Sequence, residues 1–538
     1  MKRILILLSG FVLSVNVYSQ SLERPKLVVG IVVDQMRWDF LYRYYDRYAN
    51  DGGFKRMLNQ GFSCENTWIP YTPTVTAPGH SSIYTGTVPA IHGITGNIWW
   101  DNQLNRSVYC TEDNTVNTVG SKTKAGQMSP RNMLVTTICD EMRLATNFRS
   151  KTIGIAQKDR GGILCAGHNA NASYWYDNAT GDWITSTYYM NELPKWVKDL
   201  NAKKLVDKYY QSGWNTLYPI NTYLQSTADE KTYEGKTLGK SFPYDLKKFA
   251  GKNYYPINVT PYGNTLTIEM VKAAISNEQL GADEFTDFLT ISFSSPDYIG
   301  HTFGPNSIET EDCFLRLDKE LGAFMDFLDA NIGKGNFTVF LSADHGVANV
   351  PGFLKEHNVP AGSVDMGGMI KAMNEKLKEK YGTDKLVTGS YNHQLVLNHA
   401  LIDSLKLNKD EIKRWSVDYL SAQPVVARAF PIDELSETIL NEKIKKMVAN
   451  GYYPQRCGDI QIILHSQWME SFGTTGTTHG SWNPYDSHIP LLWYGWGIKQ
   501  GKLNREVYMT DIAPTLAALL HIQMPSGSVG HPIEEAFK

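Results

Sequence analysis

Four apolar runs recur along the chain, each ending in residues able to do chemistry: KLVVGIVVD, KTIGIAQKDR, DFLTISFSSPD and NFTVFLSADHG. They are rich in β-branched and aromatic residues and lack polar alternation, the pattern of strands buried on both faces of a parallel sheet. Helical periodicity falls around them. MRWDFLYRYYDRY, MLVTTICDEMRLAT, TLTIEMVKAAISNEQL and EDCFLRLDKELGAFMDFLDANI predict amphipathic helices, and YMTDIAPTLAALL a closing one. The alternation predicts an α/β fold.

Two stretches depart from this rhythm. Residues 185–262 are rich in Tyr, Lys, Asn and Gly with little periodicity, and are expected to form long loops or a small subdomain. Segment 355–470 is Lys/Glu-rich. It predicts two helices (MIKAMNEKLKEKYG and ETILNEKIKKMVANG) and strands such as HQLVLNH and DIQIILHS, an α+β insertion beside the active face. The core is thus expected over 20–354 and again over 471–538. No internal repeat is present.

Composition adds exclusions. At 538 residues the chain exceeds one ordinary core. A formal net charge of −3 offers no footprint for nucleic acid or an anionic membrane. At the N-terminus, Lys2 and Arg3 precede ILILLSGFVLSV, and Val17 and Ser19 suit a cleavage site, so residues 1–19 are expected to be a secretory signal. Its removal takes both basic residues and leaves a charge of −5. The run is too short to span a bilayer, and an exported enzyme without membrane insertion is expected, periplasmic or secreted. The six cysteines lack CxxC spacing, which argues against a thiolate metal site; both disulfides and buried free thiols are open.

The chemistry gathers at strand ends. Asp34, Asp297 and Asp344 are each expected at the carboxyl end of a strand, where open α/β sheets bind ligands. One such aspartate usually only caps a loop. Here there are three, with His301 four residues after Asp297 and His345 next to Asp344. Clustered carboxylates repel unless cations compensate them. Mixed oxygen and nitrogen ligands suit zinc, with manganese or iron as competitors, and His479 offers a further nitrogen. Lys158 and Arg160, on one face if the strand continues, could hold a tetrahedral oxyanion.

Thr76 supplies the candidate nucleophile. In TPTVTAPGHSSIYTG, Pro78 suits the first turn of a helix beginning just after Thr76, which places the hydroxyl at a positive helix start. A threonine there ordinarily only caps the helix; the nearby ligands make catalysis the stronger reading.

The ordered set Asp34, Thr76, Asn97, Lys158-Asp159-Arg160, Asp297-x-x-x-His301, Asp344-His345 and His479 resembles the alkaline phosphatase superfamily, and within it the phosphate-irrepressible PafA-type enzymes of flavobacteria. The resemblance spans essentially the whole mature chain. It implies a central mixed, mostly parallel sheet flanked by helices on both faces, and two Zn²⁺ per chain. Asp297, His301 and His479 would bind one, and Asp34, Asp344, His345 and the Thr76 oxygen the other. Thr76 would become a phosphothreonine that water later hydrolyses, while Asn97, Lys158 and Arg160 contact phosphoryl oxygens.

Subclass follows from charge. The Thr-Ala-Pro-Gly-His stretch lacks the modifiable residue and arginine of sulfatases. Phosphodiesterases and nucleotide pyrophosphatases share the threonine and asparagine. The two cations decide for small-molecule phosphate monoesters, since a monoester dianion carries charge on three non-bridging oxygens. A non-catalytic phosphate-binding metalloprotein is the alternative of another class, and a monomer is expected. His80 is expected beneath the nucleophile loop, and the Trp99-Trp100 and Trp493-Tyr494-Trp496 clusters in the core or a pocket wall.

Overall fold

Leu27–Val33 is the central strand, with all seven side chains buried. In the computed structural model, which describes residues 22–235, 237–471 and 475–537, it pairs in parallel with Asp287–Phe293 and Phe337–Ser342. Thr152–Ala156 and Ala172–Asp177 extend the parallel set beyond Phe293. Antiparallel strands flank this parallel set, Leu491–Gly495 beside Phe337–Ser342 and Asp182–Ser186 beside Ala172–Asp177, with Phe62–Cys64, Gly501–Leu503 and Thr118–Val119 beyond them. The result is a ten-stranded, mixed, mostly parallel sheet. Burial on both faces explains why its strands show no alternation. The expected signal segment 1–19 lies outside the described residues.

Helices cover the sheet. Tyr262–Glu278 and Ile308–Leu328 form where the periodicity predicts them, and Ile512–Leu520 closes the fold. MRWDFLYRYYDRY does not form one helix: only Phe40–Arg43 is helical. Its aromatic residues instead wedge into the core, where Phe40 and Tyr44 both meet Phe314. MLVTTICDEMRLAT is helical only over Ile138–Ala145, because Thr137 and Asp140 form a capping box that starts the helix there.

Residues 185–262 are more ordered than their composition predicts. They contain the helices Lys195–Ala202 and Leu205–Ser212, and Tyr210, Trp214 and Tyr244 belong to the main apolar core. Segment 355–470 builds a second sheet, ordered Val387–Tyr391, Gln394–Leu397, Ile460–Leu464, Val426–Pro431. That sheet has its own apolar cluster, including Met373, Leu377, Leu395 and Ile460. Gly362–Val364 pairs with Trp468–Glu470 near the two ends of this segment. Its helix Glu442–Gly451 braces the approach to Thr76: Thr72 N–H donates to Met447 O at 3.1 Å, and Asn450 Nδ2 to Pro70 O at 2.7 Å. All six cysteines are buried free thiols.

Candidate active site

The parallel strands deliver their C-terminal ends to one edge of the sheet. Asp34 follows the central strand directly, and Asp344 lies two residues past Phe337–Ser342. Asp297 is not at a strand end. Asp287–Phe293 stops earlier, and Asp297 sits in the first turn of the helix Ser295–Phe303, with His301 one turn later on the same helix. The i,i+4 spacing therefore acts as helical spacing, with His301 Nε2 3.2 Å from Asp297 Oδ1.

Lys158 and Arg160 also differ from expectation. The strand ends at Ala156, Lys158 is the N-cap of the helix Asp159–Ala166, and Arg160 lies in its first turn. Strand alternation does not place them together; the helix start does. Lys158 Nζ lies 2.7 Å from Asp34 Oδ2 and 2.5 Å from Asp297 Oδ2, almost fully buried.

Thr76 is the first residue of the helix Thr76–Thr85 and is buried. Its Oγ1 is 3.5 Å from His345 Nε2. The Asn97 side chain accepts from Ala77 N–H at 2.8 Å, so its carbonyl caps this helix and its NH₂ remains for another acceptor. His80 anchors the helix from beneath, with Nδ1 2.9 Å from Thr76 O and Nε2 2.8 Å from Ser292 Oγ. Gly79 permits close approach: a Cβ there would lie 2.4 Å from Asp344 O.

The donor atoms fall into two groups. Those of Asp34, Asp344 and His345 lie within 4.8 Å of one another, as do those of Asp297, His345 and His479. The three histidines share one design. His301, His345 and His479 each direct Nδ1 to a backbone carbonyl, of Thr477, Gly346 and Thr74 at 2.8, 2.9 and 2.7 Å. Nε2 is thereby left to face the carboxylates, the arrangement typical of metal-ligating imidazoles.

Electrostatics favour a cation. Burial, together with Asp297 and Asp344, pushes the Asp34 carboxyl well above its usual range despite Lys158. Burial opposes ionisation of Asp297 too, yet His301 and Lys158 outweigh it and hold that carboxyl well below 3.8. Burial lowers both His345 and His479, and the neighbouring imidazoles lower His479 further, which keeps these rings neutral as ligands must be. Asp34 Oδ1 and Asp344 Oδ2 are buried, with imidazole nitrogens of His345 and His80 at 3.3–3.5 Å and no closer hydrogen bond among the described residues, so both oxygens are open to a metal. The donor set fits divalent ions.

Three contributors escape sequence reading. Gln35 adopts a left-handed φ of 69° and donates from Nε2 to Asp297 Oδ1 at 2.6 Å and from its N–H to Asp344 Oδ1 at 3.1 Å. Its position straight after Asp34 is the one available signal. Tyr109 ends a hairpin whose register the sequence does not reveal, Thr111 follows it by two residues, and both bond Asp159.

Known proteins resemble this chain along nearly its whole length. The type I phosphodiesterase / nucleotide pyrophosphatase family model matches residues 28–485. The alkaline phosphatase PhoV of Synechococcus elongatus is 52% identical over 535 residues, covering 97% of this chain and 95% of that protein. The alkaline phosphatase PafA of Elizabethkingia meningoseptica is 51% identical over 522 residues, covering 96% and 95%. A Myroides odoratus protein named calcium-transporting ATPase is 53% identical over 527 residues, covering 97% and 96%. Among the described residues of the present chain, no helix is long and apolar enough to cross a membrane. The crystal structure of wild-type PafA superposes with a TM-score of 0.94 at 51% identity, covering 96% of this chain and 100% of that one. The chain therefore belongs to the type I phosphodiesterase / nucleotide pyrophosphatase family and, within the alkaline phosphatase superfamily, is an enzyme of the PafA type.

Proposed function

We propose that this chain is an exported, monomeric phosphomonoesterase that works through a phosphothreonine on Thr76 and holds two Zn²⁺. The observation that carries the reading is the buried Thr76 hydroxyl beside His345 Nε2, at the junction of two donor groups. Asp297, His301 and His479 would hold one ion, and Asp34, Asp344, His345 and Thr76 Oγ1 the other. Bound there, such ions would lower the pKa of the Thr76 hydroxyl and neutralise charge on the entering and leaving oxygens.

The chain's own residues do the remaining work. Thr76 Oγ1 attacks phosphorus, forming the O–P bond as the bond to the leaving alcohol breaks; water then attacks the phosphothreonine and inorganic phosphate departs. The fixed helix start and its Asn97 cap hold the nucleophile in place. Asn97 Nδ2, Lys158 and Arg160 would donate to non-bridging oxygens, whose charge is greatest in a monoester.

Substitution Thr76→Ala should lower p-nitrophenyl phosphate turnover by at least ~10³-fold, with the metal content measured by mass spectrometry unchanged. Normal turnover by that variant would sink the mechanism. Asp34, Asp344 and His345 remain as ligands in that variant, so the second ion should stay; Thr76→Ser, which restores both the ligand oxygen and the nucleophile, is the companion and should retain metal and turnover.

The family description keeps diester hydrolysis as the second reading. The kcat/KM ratio for p-nitrophenyl phosphate over bis-p-nitrophenyl phosphate decides it. Arg160→Ala should reduce monoester kcat/KM by about 10–100-fold, the worth of one charge-assisted hydrogen bond, and diester kcat/KM by less than ~3-fold. A diester preference in the unsubstituted enzyme would move it to the phosphodiesterase branch.

A further inference from the structure

Arg160 lies next to a carboxylate yet forms no ion pair with it among the described residues. Asp159 Oδ1 accepts from the Tyr109 hydroxyl at 2.9 Å, and Asp159 Oδ2 accepts from Thr111 Oγ1. Arg160 Nη1 in turn donates to the Tyr109 hydroxyl oxygen at 3.1 Å. Consecutive residues of a helix do not face each other, so Asp159 reaches the guanidinium only through a third group. Here a neutral phenol stands between them. Its proton goes to Asp159 and its oxygen to Arg160. Burial, with Asp159 adding to it, raises the Tyr109 phenol well above 10, so it stays a proton donor to the carboxylate.

The same tyrosine ties together the parts of the site that face the phosphoryl group. Tyr109 ends the strand Arg106–Tyr109, directly opposite Ile98 in the partner strand Ile98–Asp101, which begins one residue after Asn97. Cys110 N–H then donates to Asn97 O at 3.0 Å. Beneath the hairpin, the Tyr109 ring packs on a buried cluster containing Trp99 and Val108 from the hairpin, Ala77 from the Thr76 helix and Leu164 from the Arg160 helix. One hairpin thus reaches Asn97, the nucleophile helix and Arg160.

We infer that Tyr109 is a positioning residue for phosphomonoester selection: its hydroxyl, held by Asp159, fixes Arg160. The inference rests on the role given to Arg160 above. With the ring anchored by the apolar cluster, Tyr109→Phe removes the hydroxyl and retains the packing. Arg160 then loses its one side-chain hydrogen-bond partner among the described residues.

The test is a double-mutant cycle on the metal-loaded enzyme with both p-nitrophenyl esters. Tyr109→Phe should lower monoester kcat/KM by about 5–10-fold while diester kcat/KM changes less than ~2-fold. In the Arg160→Ala background, the same substitution should change monoester kcat/KM by less than ~2-fold, because the group it positions is gone. Asp159→Asn, which leaves the Tyr109 hydroxyl on Arg160, is the second variant and should preserve the monoester preference better than Tyr109→Phe does. Equal losses on both esters, or full additivity with Arg160→Ala, would overturn the positioning role. An Arg160→Ala enzyme with an unchanged monoester preference overturns the monoesterase reading together with this one. A sensitive Arg160 with an insensitive Tyr109 overturns this one alone.

Discussion

Replacing Lys158 by Met keeps most of the side-chain stem and removes a charge from among three buried aspartates. The ammonium is 2.7 Å from Asp34 and 2.5 Å from Asp297, with only 2% of its side chain exposed. At an effective dielectric of about 20 each contact is worth roughly 6 kcal/mol before desolvation. Burying the ammonium offsets much of that, and removing one partner of a buried pair costs about 3–5 kcal/mol. The carboxylates raise the Lys158 pKa against the opposing effect of burial. A raised lysine contributes its full stabilisation below the unfolded value of 10.5 and loses it as pH climbs through the higher folded value, so the effect should be flat from pH 6 to 9. Guanidinium unfolding of metal-stripped protein, followed by tryptophan fluorescence, reads it. With a slope near ~5 kcal/mol/M, the midpoint should fall by about 0.6–1 M. In metal-loaded protein the fall should be less than half as large, because the bound ions compensate the same carboxylates. A shift below ~0.2 M in stripped protein, or equal shifts in the two states, would refute the charge argument.

Two other perturbations probe different links. Gly79→Ala would put a Cβ 2.4 Å from Asp344 O and 2.6 Å from Asp344 Cβ, so the Thr76 helix must retreat from the aspartate. Monoester kcat/KM should drop by about 100-fold with circular dichroism preserved; activity within threefold of the parent enzyme would show that the close approach is dispensable. Glu309, buried and accepting from the Tyr244 hydroxyl, is pushed by burial from 4.5 to about 7. The stability it contributes is full below 4.5 and is lost as pH rises through about 7, a change of up to about 3 kcal/mol. Glu309→Gln removes that dependence, so urea unfolding should show the variant gaining on the parent between pH 5 and 8. A gap independent of pH would contradict the assignment.

The residues that could be read from sequence are those whose signal is local. Leu27–Val33 and Phe337–Ser342 are apolar runs that only a sheet covered on both faces can bury, and Ile308–Leu328 repeats at helical spacing over 21 residues. The misreadings have a common cause. MRWDFLYRYYDRY carries a helical pattern, but its aromatic rings find partners such as Phe314 that are distant in sequence, and those contacts override the weak local preference. Asp297 and Lys158 were expected on strands because each follows an apolar run. Pro296 in the first turn of one helix, and the chain's turn after Ala156 before the other, shift both onto helix starts.

Order and spacing along the chain set the chemical inventory: three aspartates, three histidines, a threonine before a helix, and a Lys-x-Arg pair, all spaced along an α/β pattern. Covalent order and local periodicity are enough for that. How these groups meet follows from the packed fold. It put Asp34 and Asp297 on one ammonium with Asp344 beside Asp34, turned three imidazoles by hydrogen bonds to the carbonyls of Thr74, Gly346 and Thr477, and set Tyr109 between Arg160 and Asp159. These relations span gaps of up to 405 residues, as between His479 and Thr74, and depend on sheet register and hairpin pairing. Neither leaves a trace in short-range pattern, because side-chain direction follows from packing partners that the local sequence does not contain.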